Sequence, residues 1–113
     1  MSAPRIAVAD VCSGNLRSVE RALAAAGAEP VVTRDPDELR RADKLVIPGQ
    51  GALGTFAREL AARGLEPALR EILASGKPML GICLGMQVLF ERGQEHGGVD
   101  GLGLLRGEVV KFI

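Results

Sequence analysis

Nine residues, Met79-Leu80-Gly81-Ile82-Cys83-Leu84-Gly85-Met86-Gln87, constrain this chain more than any others. Lys77-Pro78 closes a turn just before them. Residues 79–82 read as a short buried strand and residues 84–91 as a helix. Cys83 falls at the sharp corner between the two, with Gly81 and Gly85 two residues to either side. A tight strand-to-helix turn leaves no room for side chains at those two positions, so glycine is needed there. The pattern is that of a nucleophile elbow carrying sulfur in place of a serine hydroxyl. A helix start at Leu84 brings positive partial charge and free N–H groups to the thiol, which favours thiolate. The Leu84 N–H points to where an oxyanion would form. The same spacing also fits a buried structural cysteine in an ordinary strand-turn-helix.

The rest of the chain supplies an alternating frame for that corner. Residues 5–11 (RIAVADV) are nearly continuous in apolar character, which suits a parallel strand covered on both faces. Ser13-Gly14-Asn15 is a turn with capping residues, and Leu16, Val19, Leu23 and Ala26 then fall on one helical face stopped by Gly27. Residues 29–33 form a second strand. Asp35-Pro36-Asp37-Glu38 carries a cap, a proline at the first helical position and acids in the first turn. Residues 44–48 (KLVIP) are a third strand. Two helices follow, one with Phe56, Ala57, Leu60 and Ala61 inward and ended by Gly64. The other opens at Pro67 and stops at Gly76. After the elbow helix comes a glycine-rich loop, 94–103, and a last strand at 107–113 (GEVVKFI). Strands alternating with helices predict an α/β fold, a three-layer, doubly wound, mainly parallel sheet with right-handed crossovers. Both glycine turns then lie at carboxyl ends of strands, where such folds bind ligands.

The second glycine turn, Gly49-Gln50-Gly51-Ala52-Leu53-Gly54, is literally G-x-G-x-x-G. A dinucleotide fingerprint follows the first strand of a βαβ unit and has an acid about 20 residues on, at a strand end. Here the motif follows the third strand, and Glu71 lies within a helical pattern. A loop whose backbone N–H groups face an anion is the better reading.

Composition narrows the partners. The 113 residues suit one small domain. Lys plus Arg is 14 and Asp plus Glu is 14, so no basic surface for nucleic acid or anionic membrane is expected. With no Trp, no Tyr and 3 Phe there is no aromatic platform for bases either. No apolar run approaches the ~20 residues of a membrane span, and Asp10 interrupts the N-terminal apolar stretch, so no signal peptide is read. Cys12 and Cys83 form no metal or redox pattern, no cofactor is expected, and the cytoplasm is the default compartment.

Three segments together carry a family resemblance: G-I-C-L-G-M-Q at 81–87, P-G-Q-G-A at 48–52 and G-N-L-R-S-V at 14–19. The chain resembles class I (triad) glutamine amidotransferases of flavodoxin-like fold. Within them it is most similar to the glutaminase subunits of imidazole glycerol phosphate synthases. The resemblance runs through G-L-G-L-L-R-G-E-V-V-K-F at 101–112. It departs at Val11-Cys12-Ser13, where members often carry an aromatic and a glycine. The resemblance implies that Cys83 attacks the side-chain amide of glutamine, forming a γ-glutamyl thioester and releasing ammonia, after which water releases glutamate. It also implies that the Leu84 N–H and an N–H from Gln50-Gly51 hold the oxyanion. Gly51 and Gln87 would contact substrate glutamine. Ammonia would pass to a (β/α)8-barrel cyclase partner in a heterodimer, in histidine biosynthesis.

The same resemblance places the base of the triad and its orienting acid in an H-x-E pair beyond Ile113. The single histidine, His96, reads as a solvated loop residue and is not assigned as the base. Residues 1–113 are therefore expected to be the N-terminal portion of one glutamine amidotransferase domain, with the C-terminal part absent. A truncation, one half of a split gene and a remnant without catalysis are all consistent with this. A non-catalytic α/β module that binds a partner through its glycine loops is the alternative. A final strand at 107–113 without neighbours would leave unpaired backbone groups, so self-association and no glutamine turnover by the isolated chain are expected.

Overall fold

A computed structural model describes residues 3–11 and 16–112. Four parallel strands make the main sheet: β1 (Arg5–Ala9), β2 (Glu29–Thr33), β3 (Lys44–Gly49) and β4 (Met79–Cys83), in the order β2-β1-β3-β4. Helix α1 (Leu16–Ala25) links β1 to β2, and α2 (Pro36–Arg41) links β2 to β3. Between β3 and β4 run α3 (Leu53–Ala62) and α4 (Glu66–Ala74). The order reverses direction after β2, so consistently right-handed crossovers put α1 on one face and the later helices on the other. Burial follows that division. Ala7, Ala9, Leu45 and Ile47 pack with Leu39, Phe56, Leu60, Leu69 and Ile72 on one side. Ile6, Val8 and Val46 pack against Leu16, Val19 and Leu23 of α1 on the other. The expected three layers are present. Ala26 lies just past α1 and is exposed.

Local chemistry starts and stops these elements as anticipated at several points. The Asp35 side chain caps α2 by accepting from the Asp37 N–H at 2.9 Å. Gly27, Gly64 and Gly76 follow α1, α3 and α4 with positive φ. The first strand stops at Ala9 rather than at residue 11. Val11 is nonetheless buried, and its carbonyl accepts from Arg63 Nε at 2.6 Å. The capping turn at 13–15 and Cys12 lie outside the described residues.

Three expectations need correction. The fourth strand is not buried: Leu80 is 56% and Ile82 is 40% exposed. Leu80 sits in register with Val46, on the α1 side of the sheet. The apolar cluster under α1 gathers residues of β1, β2 and β3 but none of β4, so that helix leaves β4 uncovered. The elbow helix α5 spans Leu84–Gln87, a single turn, not residues 84–91. Beyond it the carbonyls of Val88, Leu89, Phe90 and Glu91 accept from N–H groups of residues 101–105 at 2.7–3.0 Å. Those bonds replace helical ones and draw out strand β5 (Phe90–Gly93). The glycine-rich loop after it contains a 3₁₀ turn, Glu95–Gly97, and a short strand β6 (Val99–Asp100) antiparallel to β5. The last strand, β7 (Leu105–Val109), lies parallel to β5 and ends four residues earlier than anticipated. It stops where the Lys111 N–H turns to the Gln94 side-chain oxygen, 2.9 Å away.

Candidate active site

The elbow owes its shape to two glycines with no space for a side chain. A Cβ on Gly81 would sit 2.7 Å from the Gly85 carbonyl oxygen and 2.7 Å from Met86 Cα. One on Gly85 would collide with the Ile47 carbonyl of β3. The turn therefore presses α5 directly against the sheet. The strain this creates falls on Cys83, which adopts φ 57° and ψ −116°. A non-glycine residue held there costs on the order of 1–3 kcal/mol and persists only because its surroundings over-determine it. Cys83 is exposed, which excludes the buried structural cysteine. Leu84, the first residue of α5, is buried, and its N–H has no acceptor within the helix. With one turn instead of two, fewer aligned peptides stand behind the sulfur. The local N–H groups, more than a macrodipole, set the electrostatics there.

The glycine loop lies beside this corner. Gly49 at the end of β3 pairs in register with Cys83 at the end of β4. Gln50 and Gly51 are the next two residues, both exposed, and Gly51 has φ 107°. Strand pairing thus brings together two segments more than 30 residues apart in sequence. The G-x-G-x-x-G run does meet an anion, but an internal one. The Leu53 N–H, at the start of α3, donates to Glu95 Oε1 at 3.1 Å.

Glu95 opens onto a cleft of about 660 Å³ that also includes Gln87, Leu53, His96, Lys111 and Phe112 among its walls. Gln87 closes the single turn of α5 that starts after Cys83, so the cleft begins about 6 Å along the helix from Cys83. Cys83, Gln50, Gly51 and Leu84 are not among its walls. His96 is in the left-handed region (φ 50°), with its side chain 79% exposed and Nε2 3.5 Å from Glu95. It is a solvated loop residue, as expected. Nothing in the sequence marked Glu95 as a cleft residue. Its partner Leu53 is 42 residues away, and no spacing rule links a loop acid to a distant helix start. Among the described residues no three His, Cys, Asp or Glu side chains gather as metal ligands, and no helix is long and apolar enough to cross a membrane.

A flavodoxin-like sheet with a thiol elbow on β4 and a glycine loop on β3 defines a class. The family profile described as glutamine amidotransferase class-I matches residues 7–101, and the chain belongs to that family. More narrowly, it is 49% identical over 107 residues to the imidazole glycerol phosphate synthase subunit HisH of Sulfurimonas denitrificans, covering 95% of this chain and 52% of that protein. It is 51% identical over 109 residues to the subunit of the same name from Nostoc punctiforme, covering 96% and 51%. A crystal structure of a glutamine amidotransferase superposes with a TM-score of 0.78 at 24% identity, over 93% of this chain and 55% of that one, and shares the fold. The chain spans about half the length of the curated relatives it matches.

Proposed function

We propose that residues 1–113 are the nucleophile-bearing portion of a single glutaminase domain that supplies ammonia to a cyclase partner in histidine biosynthesis. The observation that carries this is the left-handed backbone of Cys83, held between two glycines that admit no Cβ. The thiolate of Cys83 adds to the side-chain amide carbon of glutamine. The C–N bond of the tetrahedral adduct then breaks, and the nitrogen leaves as ammonia once protonated. The resulting γ-glutamyl thioester is hydrolysed to glutamate. The Leu84 N–H and an N–H of the Gln50-Gly51 segment hold the oxyanion, and each such donor is worth ~3 kcal/mol in the transition state.

The cleft is suited to the other end of the substrate. Three C–C bonds of about 1.5 Å separate the reacting carbon of glutamine from its Cα, a span of about 4 Å. That length points the α-amino group from Cys83 toward Gln87 and the cleft it lines. Glu95 is there to receive an ammonium group, its carboxylate oriented by the Leu53 N–H. His96 points to solvent and does not serve as the base. The imidazole and its orienting acid come from an H-x-E segment outside these residues, and the ammonia acceptor is a (β/α)8-barrel subunit.

Alkylation by a glutamine-shaped chloromethyl ketone tests the reading. Cys83 should be labelled saturably and ahead of Cys12, and free glutamine should protect it. Labelling of both thiols at equal, unsaturable rates would leave the non-catalytic partner-binding module as the better account. Glutamate release should be absent with the 113-residue chain alone and appear when a segment bearing the H-x-E pair is added. Turnover without that segment would show that the base lies within the chain.

A further inference from the structure

The cleft beside α5 holds one more charged group that the proposed reaction has not used. Lys111 follows the end of β7, and its ammonium makes no ion pair or hydrogen bond among the described residues. Its backbone is nonetheless fixed. The Lys111 N–H donates to the Gln94 side-chain oxygen at 2.9 Å, and the Gln94 N–H donates to the Val109 carbonyl at 2.9 Å. This cross-tie binds the chain after β7 to the loop after β5, and it sets residue 111 on the wall of the cleft that holds Glu95. The other charges nearby are engaged. Arg92 donates to the Gly97 carbonyl and faces Glu108 at 3.9 Å, and His96 lies against Glu95. Glu95, its carboxylate oriented by the Leu53 N–H, and Lys111 thus line the same cavity.

We propose that Lys111 is a specificity-determining residue that receives the α-carboxylate of the substrate amino acid. This rests on the reading of the cleft as the glutamine site. Free glutamine carries a carboxylate and an ammonium on one carbon, and opposite charges across a small cavity match that pair. A peptide-bound or amidated glutamine lacks the carboxylate and leaves Lys111 without its partner. The pair selects by charge at the far end of the substrate, whereas Cys83 acts at the near end.

The test compares two probes on the unaltered chain, a glutamine-shaped chloromethyl ketone with a free α-carboxylate and the same compound as its α-carboxamide. Cys83 labelling should saturate with both, and the amide should need about tenfold more reagent for half-saturation, the loss of one charge-assisted contact at a partly exposed site. Lys111→Met should reduce that ratio to within about twofold by weakening the acid form alone, and Lys111→Arg should keep most of it. A purely structural lysine would move both probes together. Equal half-saturation of the two probes on the unaltered chain would overturn the assignment, as would an undiminished ratio in Lys111→Met. Unsaturable labelling by both would overturn the glutamine site and this assignment with it.

Discussion

Replacing Gly85 by alanine probes the physical basis of the elbow. The new Cβ would overlap the Ile47 carbonyl oxygen, lie 2.6 Å from the carbonyl carbon and 3.0 Å from Ile47 Cγ2. An unstrained carbon pair sits at about 3.5–4.0 Å, so α5 and β3 would have to separate by about 1 Å. Neither can do so freely. β3 is paired with β1 on one side and with β4 on the other, and Ile47 itself is fully buried and in register with Gly81. No rotamer relieves a clash with backbone. Overpacking costs about 1–3 kcal/mol when side chains adjust, so a backbone clash belongs at about 3 kcal/mol or above. With a urea slope of about 2 kcal/mol/M for a chain of this size, the unfolding midpoint should fall by about 1.5 M. Gly64→Ala is the control, because φ is 67° there and a Cβ would meet open space. It should cost only the left-handed penalty of about 1 kcal/mol, or about 0.5 M. Urea titrations of the two variants decide the matter. A Gly85→Ala midpoint no lower than that of Gly64→Ala would refute the close-approach argument.

Three further outcomes are expected. Cys83→Gly should be more stable than Cys83→Ala by about 1 kcal/mol in thermal or urea unfolding, because glycine accepts the positive φ that alanine resists. Equal stability would mean that the corner stores no strain. Gly51→Ala, placed in a protein that turns over glutamine, should lower kcat by roughly 10²-fold with little change in glutamine affinity, since φ 107° suits glycine and the proposed oxyanion N–H acts in the transition state. A larger change in KM than in kcat would make the loop a binding element. Finally, the open edge of β4 should drive self-association. Leu80 and Ile82 are exposed, and Leu80 borders an apolar groove formed with Ile6, Leu23 and Val46. Light scattering should give a molar mass above the monomer value that falls when both become lysine, and a monomer before substitution would refute this.

The division between what sequence and structure each decide follows from range. Local rules identified the β-α alternation, the Asp35 cap, the glycine stops and the Gly81-Cys83-Gly85 corner, because each depends on neighbours within a turn. They also identified the mainly parallel sheet, since the apolar run of the first strand implies cover on both faces. The length of α5 was not legible. Residues 84–91 carry a helical pattern, but the carbonyls of 88–91 bond to residues 101–105, partners that no local pattern names. The exposure of β4 was hidden for the same reason: an apolar strand reads as buried wherever its cover comes from. The candidate site divides likewise. Cys83, Leu84 and Gln87 are neighbours on one corner and were visible together, and Gln50-Gly51 was visible as a second glycine loop. That the two segments adjoin follows from the pairing of Gly49 with Cys83. Glu95 and Lys111 share a cleft with Gln87 because Leu53 and Gln94 hold them there, through hydrogen bonds spanning 42 and 17 residues. Sequence determines which residues have the chemistry, through short-range conformational preference. The fold decides which of them meet, because only long-range pairing and packing set distances between remote segments.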